Sequence, residues 1–290
     1  MATTLKEQYD KLSTDFRWGV AIDGSTMALK ALKLAIKLMQ ERHGEGTKPT
    51  VEKVHVLHVE NPRKQDAISL KSSHFRNSAK LIFDTETFVE MKWHQSLHSA
   101  TNENGIFAQL ECMARDNKVN LLVVGTFGLN GEKKNKIGRM TQFSMANSQT
   151  PVMIVKPTYK ITDEPRSFLV AVDGQGASNR ALLFALKYIV RKTDKIILFY
   201  KNSVDETKGF FDPYVKVLEA LDVGYETKFS SDKSMNVAAE IVHIASELQT
   251  EFIVMGKKRT RQEVLLGSIS DHVAARTRSS LIICKDIAFE

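Results

Sequence analysis

The segment VVGTFGLNGEKKNKIGRMTQ, residues 123–142, places glycines at 125, 128, 131 and 138 directly after a β-branched run. Glycine lets backbone amides approach a ligand closely. A helix start adds N–H groups without intrahelical partners and the positive end of the helix dipole. Together these are the ingredients of a phosphate cradle, and Gly125, Gly128, Gly138, Arg139, Met140 and Thr141 are its candidate residues. A long surface connection would use the same glycines, so the pattern needs a chemical partner. Asp23, at the end of the apolar run GVAID, supplies one. Its carboxylate can accept hydrogen bonds from a ribose or a base, or join a phosphate-bound Mg²⁺. Arg139 is the unusual member, because a cation in the first turn costs ~0.3–1 kcal/mol against the dipole. A bound polyphosphate reverses that sign. Otherwise Arg139 faces water or blocks the pocket. Lys133, Lys134 and Lys136 read as a solvated basic loop.

These residues must be held by the elements around them. Short apolar runs predict strands at roughly 16–22, 51–59, 87–94, 120–125 and 151–156. Helical periodicity lies between them. In 26–40, Lys30, Lys33 and Lys37 form one narrow polar stripe, so most of that helix is buried. In 103–117, Ile106, Leu110, Met113 and Ala114 share a face. Alternating strands and helices imply right-handed crossovers and a parallel sheet covered on both faces. Ligands of such sheets sit beyond the carboxyl ends of the strands, where the strand order reverses. If the first and fourth strands are neighbours there, Asp23 faces the glycine loop.

The pattern occurs twice. GVAIDGSTMALKALKLAIK (19–37) and LVAVDGQGASNRALLFALK (169–187) match at a fixed offset of 150. LLVVGT (121–126) pairs with FIVMGK (252–257), and VMIVK (152–156) with LIICK (281–285). Three matched segments in one order imply a duplicated domain. Val237, Ile241, Ile244 and Leu248 predict a helix in the second copy. The expected organisation is an N-terminal extension 1–15, a domain 16–157, a linker 158–166 carrying charges and a proline, and a domain 167–290.

The combined pattern resembles the universal stress protein family, as two domains in tandem. The family's G-x-x-G, nine residues, G-[ST] motif is matched in spacing by Gly125, Gly128 and Gly138, with Arg139 in place of Ser or Thr. Its first strand ending in Asp-Gly-Ser is matched by Asp23-Gly24-Ser25, and its L-H-V by Leu57-His58-Val59. The resemblance implies two doubly wound, parallel five-stranded α/β sheets of the adenine nucleotide alpha hydrolase type, with a flavodoxin-like strand order. It implies ATP, with or without Mg²⁺, on Asp23, the backbone of Val59 and the glycine loop, and a role in stress response or signalling. It also implies an intramolecular pseudo-dimer paired through the last strands of the two halves, with further homo-oligomers open. The second copy departs further. Arg259 replaces a loop glycine and the spacer to Gly267 is two residues shorter, so ATP is expected in the first domain only. An interaction module without nucleotide is the alternative. An ATP hydrolase or nucleotidyl transferase is a third reading, without a nameable nucleophile or base.

Composition narrows the rest. The 290 residues are 42% hydrophobic and 26% charged, with net charge +7. This is an ordinary globular balance that favours anions mildly and does not call for nucleic acid. No apolar run is long enough for membrane insertion. Cys112 and Cys284 allow no disulfide framework and read as buried structural thiols in a reducing, cytoplasmic setting. His55 and His58 lie three apart on a strand and face opposite ways. His94 and His98 have helical spacing in a stretch that reads as strand, which argues against zinc there. Trp18 and Trp93 read as core or interface aromatics.

Overall fold

The computed structural model describes residues 3–42, 52–60, 72–83, 89–97, 104–128, 131, 137–202, 209–257 and 268–285. The chain forms two compact units, one of residues 15–157 and one of residues 158–290 together with residues 1–14. Helix α1 (Leu5–Asp10) belongs to the second unit. The first unit runs β1 (Trp18–Ala21), α2 (Thr26–Arg42), β2 (Glu52–Glu60), α3 (Ser72–Phe83), β3 (Val89–Leu97), α4 (Asn104–Asp116), β4 (Leu121–Gly125), α5 (Arg139–Asn147) and β5 (Val152–Val155). The second runs β6 (Ser167–Ala171), α6 (Gly176–Tyr188), β7 (Lys195–Lys201), α7 (Asp212–Ala220), β8 (Gly224–Ser230), α8 (Val237–Glu247), β9 (Phe252–Lys257), α9 (Ser268–Arg276) and β10 (Ser280–Lys285).

Every strand pairing within each unit is parallel. The order is β3-β2-β1-β4-β5 in the first unit and β8-β7-β6-β9-β10 in the second. The doubly wound α/β class expected from strand–helix alternation is present. The flavodoxin-like order is not, since that order places the third strand beside the first on its far side. Here the chain steps outward twice in one direction before crossing back. Right-handed crossovers are compatible with both orders, so alternation alone does not separate them. The reversal still falls at β1, with β4 as its neighbour.

Burial follows the sequence pattern. In α2 the buried side chains are Met27, Ala28, Ala31, Leu32, Leu34, Ala35, Ile36, Leu38 and Met39, which leaves the lysine stripe outside. Helix α3 was not read from the sequence. It buries Phe75, Ala79 and Phe83, four residues apart, while Leu81 is exposed. Trp18 is fully buried in β1, while Trp93 is half-buried. Cys284 is buried in β10, and that burial pushes its thiol pKa well up. Cys112 departs from the expectation of a buried thiol. It is half-buried on α4 and accepts a hydrogen bond from the Arg115 guanidinium, because its helix turns that position to the rim.

Residues 3–14 are built into the second unit. Six residues make too short a helix to persist alone, so docking must hold α1. Thr4 and Glu7 form a reciprocal capping box. Leu5 is buried, the Lys187 ammonium lies 4.7 Å from the Tyr9 ring centroid, and Tyr188 Oη donates to Ser13 O.

A buried carboxylate closes the amino end of the second sheet. Asp194 precedes β7 and is fully enclosed. It accepts from the backbone and guanidinium of both Arg166 and Arg191. Arg191 also donates to Asp163 O and Glu164 O, which fixes the linker. Burial works against the charged carboxylate, but the two arginines outweigh it and hold Asp194 below the ordinary 3.8. Replacing Asp194 with Ala strands Arg166 without its counter-charge and should cost the second unit ~3–5 kcal/mol in denaturant unfolding. The contribution is complete above the unfolded value near 3.8 and is lost as pH falls through the lower folded value. The wild-type and variant stabilities should therefore converge in strong acid.

Candidate functional site

β1 and β4 lie side by side in register, Trp18 opposite Leu121 and Val20 opposite Val123. Their tips therefore leave the sheet together at Asp23 and Gly125. Helix α2 crosses close behind them. A Cβ on Gly125 would stand 2.8 Å from Met27 Cβ and 3.0 Å from the Met27 carbonyl carbon. Only a residue without a side chain lets the helix after β1 rest on the end of β4.

Asp23 is half-buried. Its Oδ1 accepts from Ser25 N at 3.0 Å, and Ser25 Oγ accepts from Ala28 N, which starts α2. The other oxygen faces the loop, since a Cβ on Gly128 would lie 2.3 Å from Asp23 Oδ2. Carboxylate and glycine loop thus meet across the crevice. The loop is pinned at both ends. Thr126 donates through N and Oγ1 to Val155 O, and Gly138 N donates to Thr126 O at 2.7 Å. Gly138 is the N-cap of α5 and supplies no side-chain cap. The first turn of α5 contains no acidic residue. Arg139 is exposed at the first helical position, and Met140 behind it is half-buried.

Thr141 points inward. It is 2% exposed and donates through Oγ1 to Gly125 O at 2.8 Å. Its hydroxyl proton therefore ties α5 to β4. Val59 lies near the end of β2, opposite Ser96 of β3. That end is tied to β1 by Ile22 N donating to Leu57 O and by the His58 ring, whose Nδ1 lies 2.8 Å from Ile22 O. A carbonyl only accepts, so Nδ1 carries the proton. His58 Nε2 is buried without a partner, and the ring packs edge-on against Phe75 and tilted against Trp93. The structure thus brings Asp23, Gly128 and Gly138 together beyond the end of β4 at Gly125, starts α5 there with Arg139 and Met140, sets Val59 near the end of β2, and turns the Thr141 side chain onto Gly125 O. Thr126 and Met27 were not singled out in the sequence. Their roles depend on which strand lies beside β4 and which helix lies behind it. Lys133, Lys134 and Lys136 lie outside the described residues.

The second unit keeps the scaffold and changes the rim. A Cβ on Gly256 would meet the Ala177 carbonyl carbon at 2.3 Å, the same approach as at Gly125. Asp173 accepts from Ser178 Oγ at 2.5 Å and from Gln175 N. Register places Lys257 where the first unit has Thr126, and Lys201 where it has Val59. Lys201 is ion-paired with Glu240 and donates to Asp232 O. Phe210 stacks on Tyr200 at 3.6 Å beside Gly174. Arg259 and Gly267 lie outside the described residues.

Residues 17–156 match the sequence model of the Universal stress protein family. These residues, just under half of the chain, form a universal stress protein domain. A universal stress protein from Archaeoglobus fulgidus DSM 4304 is similar over 93% of this chain and 98% of its own, with 18% identity and a TM-score of 0.66. A functionally unknown protein from Pseudomonas aeruginosa PAO1 is similar over 94% and 93%, with 14% identity and a TM-score of 0.60. At such identity the likeness concerns the fold. No curated protein sequence matches the chain. Among the described residues no helix is long and apolar enough to cross a membrane, and no three His, Cys, Asp or Glu side chains converge as metal ligands.

Two glycines of this universal stress protein domain should respond differently to alanine. At Gly125 the new Cβ meets helix backbone, so Gly125→Ala should destabilise the first unit by ~1–3 kcal/mol. At Gly128 it meets only the movable Asp23 carboxylate, so Gly128→Ala should stay within ~0.5 kcal/mol. Hydrogen exchange of the β4 amides measures both.

Proposed function

We propose that the first unit binds ATP in the crevice between the tips of β1 and β4, and that the protein acts as a nucleotide-responsive stress or signalling protein. The observation that carries this reading is the Asp23 carboxylate set against Gly128, beside the uncapped start of α5. A carboxylate there suits a ribose hydroxyl or an exocyclic amine, both of which donate. The loop backbone and the first turn of α5 suit phosphate oxygens, which accept. Arg139, exposed at the first helical position, is placed to add a charge-assisted contact. Val59 would offer backbone groups to the base. Mg²⁺, where present, would arrive on the triphosphate.

In the same reading the second unit is a further domain of the family that holds no ATP. Its Asp173 holds Ser178 and Gln175 on Oδ1, and lysines stand in place of Val59 and Thr126. Pairing of the two halves through their last strands, and a cytoplasmic location, complete the proposal. Removal of residues 1–14 and cleavage within 158–166, followed by native mass spectrometry, tests the pairing, and halves that then separate freely would exclude it.

Calorimetric titration tests the site. ATP should bind, and Asp23→Ala should weaken it roughly ten- to a hundredfold, the worth of one hydrogen bond to a charged group. Asp173→Ala should leave affinity unchanged. Arg139→Ala should weaken ATP more than adenosine at fixed ionic strength. If Arg139→Ser strengthens ATP instead, the guanidinium blocks the crevice rather than pairing with phosphate. Absence of any nucleotide binding would leave the interaction module as the surviving reading.

A further inference from the structure

A second cluster lies on the face of the first sheet that carries α4. His55 of β2 and His94 of β3 approach with Nδ1 and Nε2 3.0 Å apart and their ring planes 2° from parallel. The register pairs His55 with Lys92 and Leu57 with His94, so the two histidines are diagonal neighbours on one face. Both are half-buried. The contact joins β2 to β3, the outermost strand of this unit's sheet.

We propose that the His55–His94 pair is a proton-sensitive clasp, holding edge strand β3 on β2 when neutral and releasing it in mildly acidic solution. One nitrogen donates and the other accepts, so the bond requires a lone pair on one ring. A doubly protonated pair has two donors and two positive charges at this spacing and cannot keep it. The neighbouring cations oppose protonation. Arg17 precedes β1, Lys53 lies two residues before His55, and Lys92 lies two before His94. Glu90, on the same face of β3, is ion-paired with Lys92. Asn117, after α4, interacts with His55 and favours its charged form.

Burial, and then the neighbouring cations, hold both imidazoles below the ordinary 6.5, with His94 also opposing charge on His55. The sign follows from linkage. The unfolded chain takes up protons first, so the clasp's contribution is complete above 6.5 and is lost as pH falls through the lower folded values. The two rings share one acceptor, so they titrate as a linked pair. The proposal is independent of nucleotide, because the clasp uses neither the β1–β4 crevice nor α5.

The test is hydrogen exchange of the full-length protein from about pH 8 to 5, the range over which histidine titrates. Rates are corrected for intrinsic pH dependence, a chelator is present, and the imidazole signals are followed by NMR. The β3 amides should lose about tenfold of their protection as the pair titrates. The β4 amides should keep theirs. His94→Gln and His55→Asn each place a non-titrating amide where the ring nitrogen lies, and either should abolish the pH response of β3. The proposal is overturned if β3 protection does not change with pH, or if the change persists in both variants. It is equally overturned if the two imidazoles titrate at the ordinary value and independently. Should one variant fail to fold, the other and the wild-type titration still decide.

Discussion

Everything at the crevice depends on one close approach, the seating of α2 on the end of β4 at Gly125. With a side chain there, α2 would have to lift by the thickness of a methyl group, and the turn that carries Asp23 would lift with it. With none, the tips of β1 and β4 leave the sheet side by side, and carboxylate, glycine loop and helix start converge. The second unit obeys the same constraint at Gly256 against Ala177. It does so while changing the rim at Lys201 and Lys257. The packing contact that makes the fold is thus separable from the groups that would touch a ligand, as expected where function is grafted onto a scaffold.

The amino end of the second sheet and the carboxyl end of the first carry different kinds of polar group. At the amino end of the second sheet, Asp194 is saturated by two arginines and works as a rivet. At the carboxyl end of the first, Asp23 spends one oxygen on its own turn and turns the other to the loop. His58 fastens β2 to β1 with one nitrogen and leaves the other without a partner. Polar groups that are fully paired rigidify a fold, whereas those with capacity left are where a ligand can gain hydrogen bonds.

What the sequence made legible was local or repeated. The lysine stripe of α2, the neighbouring tips of β1 and β4, and Gly138 at the start of α5 follow from spacing and from the strand endings. What it hid was relational. The outward step of β3 leaves no mark on periodicity, so the flavodoxin-like order looked equally good. The inward turn of Thr141 depends on a carbonyl sixteen residues away. The His55–His94 contact needs a register between strands, and the spacing of His94 to His98, which lies outside the described residues, pointed elsewhere. Helix α3 buries only Phe75, Ala79 and Phe83 and exposes Leu81, so its apolar stripe is thin in the sequence.

Helix α1 has a consequence for the order in which the protein can be finished. It is synthesised before any of the first unit, yet its partners are α6 and α7, which leave the ribosome more than 160 residues later. Until then Leu5 and Tyr9 have no surface of their own to cover. The second unit therefore closes with a segment made before the whole first unit, so this contact is among the most distant in sequence. Contacts of that kind form late, because the entropy of the intervening chain must be overcome first.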